Sequence, residues 1–239
     1  MKTLLLLLGG AKFGKLLLSG GSMLLSVVAY SWIFGWWYAV GFIALLYAHE
    51  MGHYIAAKKC NINVGLPTFI PFVGAWIALK ELPHSVKDEA YIGFAGPFVG
   101  TLAALLCYYL SRTYDSNLLL AISYAGFFLN LFNLIPISPL DGGRIIAIIS
   151  PKIWFLGVPL LVLAFIYIHS PLIIFILILA FPQLKKAWQF DPKAIENQRY
   201  YDVSLEDRLM YSVYYFVLLG FLAVMTSEVH QILQHAIKQ

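Results

Sequence analysis

The chain has 239 residues, of which 61% are hydrophobic and only 12% charged, and its mean hydropathy is +0.79. Soluble globular domains carry about a quarter charged residues, so this composition excludes an ordinary soluble enzyme, and no nucleic-acid-binding motif is present. The formal net charge of +4 is small, and the placement of the basic residues along the chain accounts for it.

Crossing a hydrocarbon core about 30 Å thick takes about 20 apolar helical residues. The first apolar run, residues 4–8, follows Lys2 but stops at Gly9-Gly10, and no small-x-small cleavage pattern precedes Lys12 and Lys15. A secretory signal needs a longer apolar region, so a short, retained interfacial segment is expected there. Apolar stretches then cover residues 16–34, 36–57, 91–110, 118–135, 153–168, 171–184 and 209–226. The sixth is short and reads as half of a tight hairpin with the fifth, broken at His169-Ser170-Pro171. The fold expected is an all-α polytopic membrane protein with about six or seven transmembrane helices, built as a single domain over residues 1–239.

Two segments between the spans have character of their own. Residues 68–79 are apolar and β-rich, but Pro71 and Gly74 forbid a clean spanning helix. They read as a re-entrant or β-hairpin loop, either an edge on which an extended peptide can pair or a plain packing loop. Residues 185–207 are the longest polar stretch, with Trp188, Phe190, Tyr200 and Tyr201 among Lys and Arg, as suits headgroup level. Ser204 followed by Asp207 has the form of a helix N-cap ahead of the last span.

Orientation follows from charge. With the N-terminus in the cytosol, all 16 Lys and Arg residues except Arg112 and Lys238 fall on the cytosolic side, and the opposite orientation inverts that bias. The short uncharged turn at Gly35 makes residues 16–57 a helical hairpin, so the second span runs from outside towards the cytosol. A multi-pass protein of the cell membrane is expected.

That second span carries His49-Glu50-Met51-Gly52-His53 near its cytosolic end. Residues four apart share a helix face, so His49 and His53 present two imidazoles to one metal ion, with Glu50 one position along. Ionisable residues at membrane depth cost roughly 2.5–3.5 kcal/mol each on insertion scales and mark functional sites. Two His need a third protein ligand if zinc is to keep one position open. The run 133–144, Asn-Leu-Ile-Pro-Ile-Ser-Pro-Leu-Asp-Gly-Gly-Arg, breaks an apolar helix with two prolines and two glycines. Irregular backbone at membrane depth is tolerated where it is buried in protein or lines a cavity. Asp141 in that break is the carboxylate placed to reach back to the two His.

Together, His49-Glu50-Met51-Gly52-His53 and Asn133-x-x-Pro136 with Leu140-Asp141-Gly142 resemble the site-2 protease family of intramembrane zinc metalloproteases. Ala95-Gly96-Pro97 is similar to that family's Ala-Gly-Pro segment, and Gly96-x-x-x-Gly100, with Gly93 a turn earlier, lets helices approach closely. The resemblance covers residues 36–149, a catalytic core, while the first span and the C-terminal helices over 153–239 agree only in hydropathy. It implies a minimal member without a PDZ or other soluble domain, hydrolysing peptide bonds within or next to transmembrane segments near the cytosolic side. It also implies one zinc per chain on His49, His53 and Asp141, with Glu50 as general base towards a zinc-activated water. For Asn133 it implies a contact with the substrate backbone or developing oxyanion, against which stands a plain helix-packing hydrogen bond. The partners expected are a transmembrane protein or peptide substrate and the lipid bilayer, with no nucleic acid.

Two other readings are open at this level. A membrane zinc protease with a Glu as third ligand would have to use Glu81 or Glu89, read as loop residues, or Glu196, Glu206 or Glu228, which lack an apolar ligand helix. A metal-binding scaffold or transporter would leave Glu50 without a duty and would show several intramembrane acids along a path. Cys60 and Cys107 are expected to be unpaired thiols and His84, His169, His230 and His235 to be solvated.

Overall fold

The computed structural model describes residues 2–238, with side chains described for residues 18–236. In chain order the elements are α1 (Lys2–Phe34), α2 (Trp36–Lys59), β1 (Thr68–Ile70), β2 (Gly74–Trp76), α3 (Val86–Thr113), α4 (Asn117–Asn133) and α5 (Asp141–Ile146). A 3-10 turn at Pro151–Leu156 leads into α6 (Gly157–Ile168), followed by α7 (Pro171–Trp188), α8 (Ile195–Tyr200) and α9 (Leu205–Lys238).

The helices start and stop where local chemistry says they should. Gly35 alone joins α1 to α2, at φ +82, a left-handed conformation that glycine adopts without steric cost. Lys58 and Lys59 close the last turn of α2, where cations favour the carbonyl end of the helix. Ser85 caps α3 by accepting from Asp88 N, and Asp88 and Glu89 fill the first turn. Ser204 caps α9 in the same way, accepting from Asp207 N at 3.0 Å. The fifth and sixth spans form the expected hairpin, with His169 left-handed at φ 52 and Ser170 capping α7.

Helix α3 packs between α2 and α4, α9 lies along α4, and α1 lies along α2. One core, including Ala104, Phe127, Leu134, Ile145 and Tyr215, joins α3, α4, α5 and α9. A second joins Ile137 and Leu140 to α6 and α7. The antiparallel pair β1–β2, in register Phe69 opposite Ala75, is the hairpin expected for residues 68–79. Its first strand is tied to α1, since Phe69 N donates to Ser22 Oγ at 3.1 Å and Ser19 Oγ donates to Pro67 O.

Four helical stretches are long and apolar enough to cross a membrane: Val86–Thr113, Pro151–Ile168, Pro171–Trp188 and Leu205–Ala236. Leu18–Phe34 and Asn117–Asn133 are shorter apolar helices. Helix α2 is long enough, but its own His, Glu and Lys residues dilute its hydropathy. Large apolar side chains such as Leu163, Phe181 and Val217 stay more than half exposed, an outer surface suited to lipid. The chain is a multi-pass membrane protein.

Several helices outrun the apolar stretches that announce them. Helix α1 is continuous from Lys2, so residues 4–8, expected as a separate interfacial segment, belong to it. The side chains of Lys2, Lys12, Lys15 and Lys238 lie outside the described ones. Helix α3 begins at Val86 and α9 runs on to Lys238, because a capped helix continues through polar residues that hydropathy does not mark. Glu89, expected in a loop, is therefore in the first turn of α3.

Candidate metal centre

The motif lies in the C-terminal half of α2, and His49, Glu50 and His53 are all buried. Asp141 reaches them from the first residue of α5, after the chain has turned back through 134–140. His49 Nε2 and Asp141 Oδ2 are 3.1 Å apart, His53 Nε2 and Asp141 Oδ2 3.2 Å, and the two Nε2 atoms 3.2 Å. The three atoms thus form a nearly equilateral triangle.

Hydrogen bonds behind the rings decide what those atoms carry. His53 Nδ1 lies 2.6 Å from Ile92 O, an atom that only accepts, so Nδ1 bears the proton. His49 Nδ1 lies 2.8 Å from Asn130 Oδ1, and the Asn130 amide is oriented by its own donation from Nδ2 to Gly126 O at 2.7 Å. His49 Nδ1 therefore donates as well. Each Nε2 is left with a lone pair, and both lone pairs face a carboxylate oxygen. Three electron-rich atoms at such separations repel unless a cation lies among them. In a tetrahedral zinc site with bonds of about 2.0–2.1 Å, ligand atoms stand about 3.3 Å apart, so the donor set fits a zinc ion in chemistry and in spacing.

Glycines set how closely the helices meet here. A Cβ on Gly96 would overlap His53 Nε2, one on Gly100 would overlap Asn130 Oδ1, and one on Gly52 would strike the Ala95 carbonyl. The small-residue stripe of α3 is thus the surface against which His53 and Asn130 are seated. Asp141 Oδ1 faces Arg144 Nη1 at 3.9 Å, one turn along α5. Glu50 is 5% exposed and makes no hydrogen bond among the described residues, which leaves its carboxylate free to accept a proton.

Of the residues singled out from sequence, His49, His53 and Asp141 converge on one point, and among the described residues they are the group able to hold a metal. Asn133, at the end of α4, is half-buried and makes no side-chain hydrogen bond to that group among the described residues. Asn130, three residues earlier, does so instead. Sequence reasoning missed it, although an Asn inside Phe127-Phe128-Leu129-Asn130-Leu131-Phe132 is a polar group at membrane depth and so a signal in itself. Cys60 ends α2 and stands apart from the metal group, and His84, His169, His230 and His235 are exposed.

Residues 37–116 match the model of peptidase family M50. The chain carries an M50 domain. The matched region holds His49, Glu50 and His53 and stops before α4, so Asn130 and Asp141 lie beyond it. The M50 domain has curated relatives: the chain is 35% identical over 128 residues to zinc metalloprotease MJ0392 of Methanocaldococcus jannaschii, a match covering 50% of this chain and 37% of that protein. It is 32% identical over 123 residues to Rip3 of Mycobacterium tuberculosis, covering 48% of this chain and 31% of that one. The matches thus span well under half the length of these relatives. Among solved structures, the site-2 protease from Methanocaldococcus jannaschii aligns with 70% of this chain and 85% of its own at 25% identity and a TM-score of 0.46.

Proposed function

We propose that this M50 protein is an intramembrane zinc metalloendopeptidase of the site-2 protease kind, hydrolysing peptide bonds within or next to transmembrane segments of membrane proteins, near the cytosolic side. The observation that carries the reading is the convergence of two imidazole lone pairs and one carboxylate, with a buried, unengaged Glu50 beside them. The names of the relatives MJ0392 and Rip3 point the same way.

His49, His53 and Asp141 would hold one zinc ion per chain. Zinc, when bound, supplies Lewis-acid polarisation of the scissile carbonyl and lowers the pKa of a water at its open position towards about 7. Glu50, outside the ligand set, takes the proton from the attacking water onto its carboxylate and passes it to the leaving amine. Asn130 and the Ile92 carbonyl keep both ring protons on Nδ1, so that each Nε2 lone pair would be available to a bound zinc. The burial of all four residues limits bulk water at the site. The free edge of β2 beside α2 would give an unwound substrate a strand to pair with, and Asn133 would contact the substrate backbone.

The reading takes residues 1–239 as one membrane domain with its catalytic core at 36–149. It counts six or seven spans, including α2 and the shorter apolar helices, in a cell membrane with the N-terminus cytosolic. A reconstituted transmembrane substrate in liposomes tests it. Stripping metal with a chelator should abolish cleavage and one equivalent of zinc should restore it, whereas undiminished cleavage by metal-free protein would overturn it.

A further inference from the structure

Asp141 sits on an element that cannot hold itself in place. Helix α5 has six residues, and isolated helices far longer than that are marginal. Its first turn lies flat on the preceding loop: a Cβ on Gly142 would strike Leu134 O, and one on Gly143 would strike the Ile137 backbone. Three side chains from beyond residue 150 grip this 134–149 stretch by its carbonyls. Tyr215 Oη donates to Leu134 O at 2.6 Å, from a position 3% exposed. Trp154 Nε1 donates to Gly143 O at 2.8 Å. Arg208 Nη1 donates to Ile148 O at 2.5 Å and to Ile149 O at 3.1 Å, while its Nη2 donates to Tyr201 O at 2.8 Å. The carbonyls lie on both sides of Asp141, and two of the three donors come from α9. The two His ligands are held separately, by Asn130 and by Ile92.

We propose that Trp154, Arg208 and Tyr215 are positioning residues for Asp141, so that α9 governs how firmly the third ligand, and with it the metal, is held. This rests on the reading of Asp141 as a ligand. It gives the C-terminal helices a specific task at the metal centre: they hold the third ligand's backbone in place from outside α2, the helix that carries both His.

The test uses the full zinc-loaded chain in detergent and follows zinc transfer to a chromophoric chelator. Tyr215→Phe keeps the ring and removes one donor, and Tyr215→Phe with Trp154→Phe removes two. Both should speed zinc release, the double variant by about tenfold, approaching Asp141→Ala. Val27→Ala, a buried change in the α1–α2 core, serves as the control for general destabilisation and should release zinc at the wild-type rate. In cobalt-substituted protein the double variant should shift the visible absorption in the direction of Asp141→Ala. Wild-type release and spectrum in the double variant, with Asp141→Ala losing metal, would overturn the positioning role alone. Wild-type retention by Asp141→Ala would overturn the ligand reading and this inference with it. Should the double variant fail to fold, release from Tyr215→Phe decides in the same way.

Discussion

Asn130 Oδ1 accepts the proton of His49 Nδ1 at 2.8 Å across 81 residues of sequence. That bond selects the ring tautomer whose Nε2 faces the other donors, and the amide's own bond to Gly126 O keeps the oxygen, not the nitrogen, towards the ring.

Asn130→Ala should therefore weaken zinc binding by about 10–100-fold, the usual cost of losing a hydrogen bond behind a metal-ligating imidazole. Competition against a chelator of known affinity measures it. An unchanged affinity would mean that the bond merely fills a polar vacancy between α2 and α4.

Gly96→Ala should be worse than its size suggests. The added methyl falls on His53 Nε2, so either α3 withdraws or the ring leaves its seat, and overpacking of this kind costs about 1–3 kcal/mol. Zinc content and melting temperature should both drop. Gly220→Ala, where a Cβ meets nothing within 4 Å, should leave both unchanged, and equal losses at the two positions would refute the steric account.

The polar segment ahead of α9 should respond to alkali. Tyr200 Oη donates to Glu89 Oε2 at 2.7 Å. Burial and the Glu89 carboxylate push Tyr201 up from 10.0 to about 12, and the same causes move Tyr200 upward. Folded pKa values above the unfolded value mean that this contribution is intact below about pH 10 and fades as pH climbs through the folded values. Amide exchange in residues 195–203, corrected for its intrinsic pH dependence, should lose protection between about pH 10 and 12. The double variant Tyr200→Phe, Tyr201→Phe should lack that step; a step of the same size there would assign it to other groups.

Cys60→Ser should not alter zinc content. The thiol ends α2 and stands outside the group formed by His49, His53 and Asp141. Metal analysis showing lost zinc would bring Cys60 into the ligand set.

Much of this was legible in the chain because membrane depth is unforgiving. His49, Glu50 and His53 stand out on an apolar helix, and Asp141 stands out in a Pro- and Gly-broken one, since neither place tolerates an idle charge. The 171–184 stretch is short, yet α7 runs Pro171–Trp188 because Lys185 and Lys186 continue the helix into its last turn. Asn130 was not legible for a different reason. Its meaning lies wholly in a partner 81 residues away, and a neutral amide on a helix reads as readily as packing. Trp154, Arg208 and Tyr215 were hidden in the same way: each reads as an interfacial or core residue until the carbonyl it grips is known.

Glu50→Gln offers the most direct measurement. The amide preserves size and burial but cannot accept a proton, and a positioned general base contributes about 10²–10⁴-fold. Purified Glu50→Gln and wild type should hold the same amount of zinc, one ion per chain. In liposomes bearing a transmembrane substrate, the variant should lose cleavage by that factor. Cleavage by Glu50→Gln at the wild-type rate, with zinc intact, would contradict the account and leave a metal-binding membrane scaffold in its place.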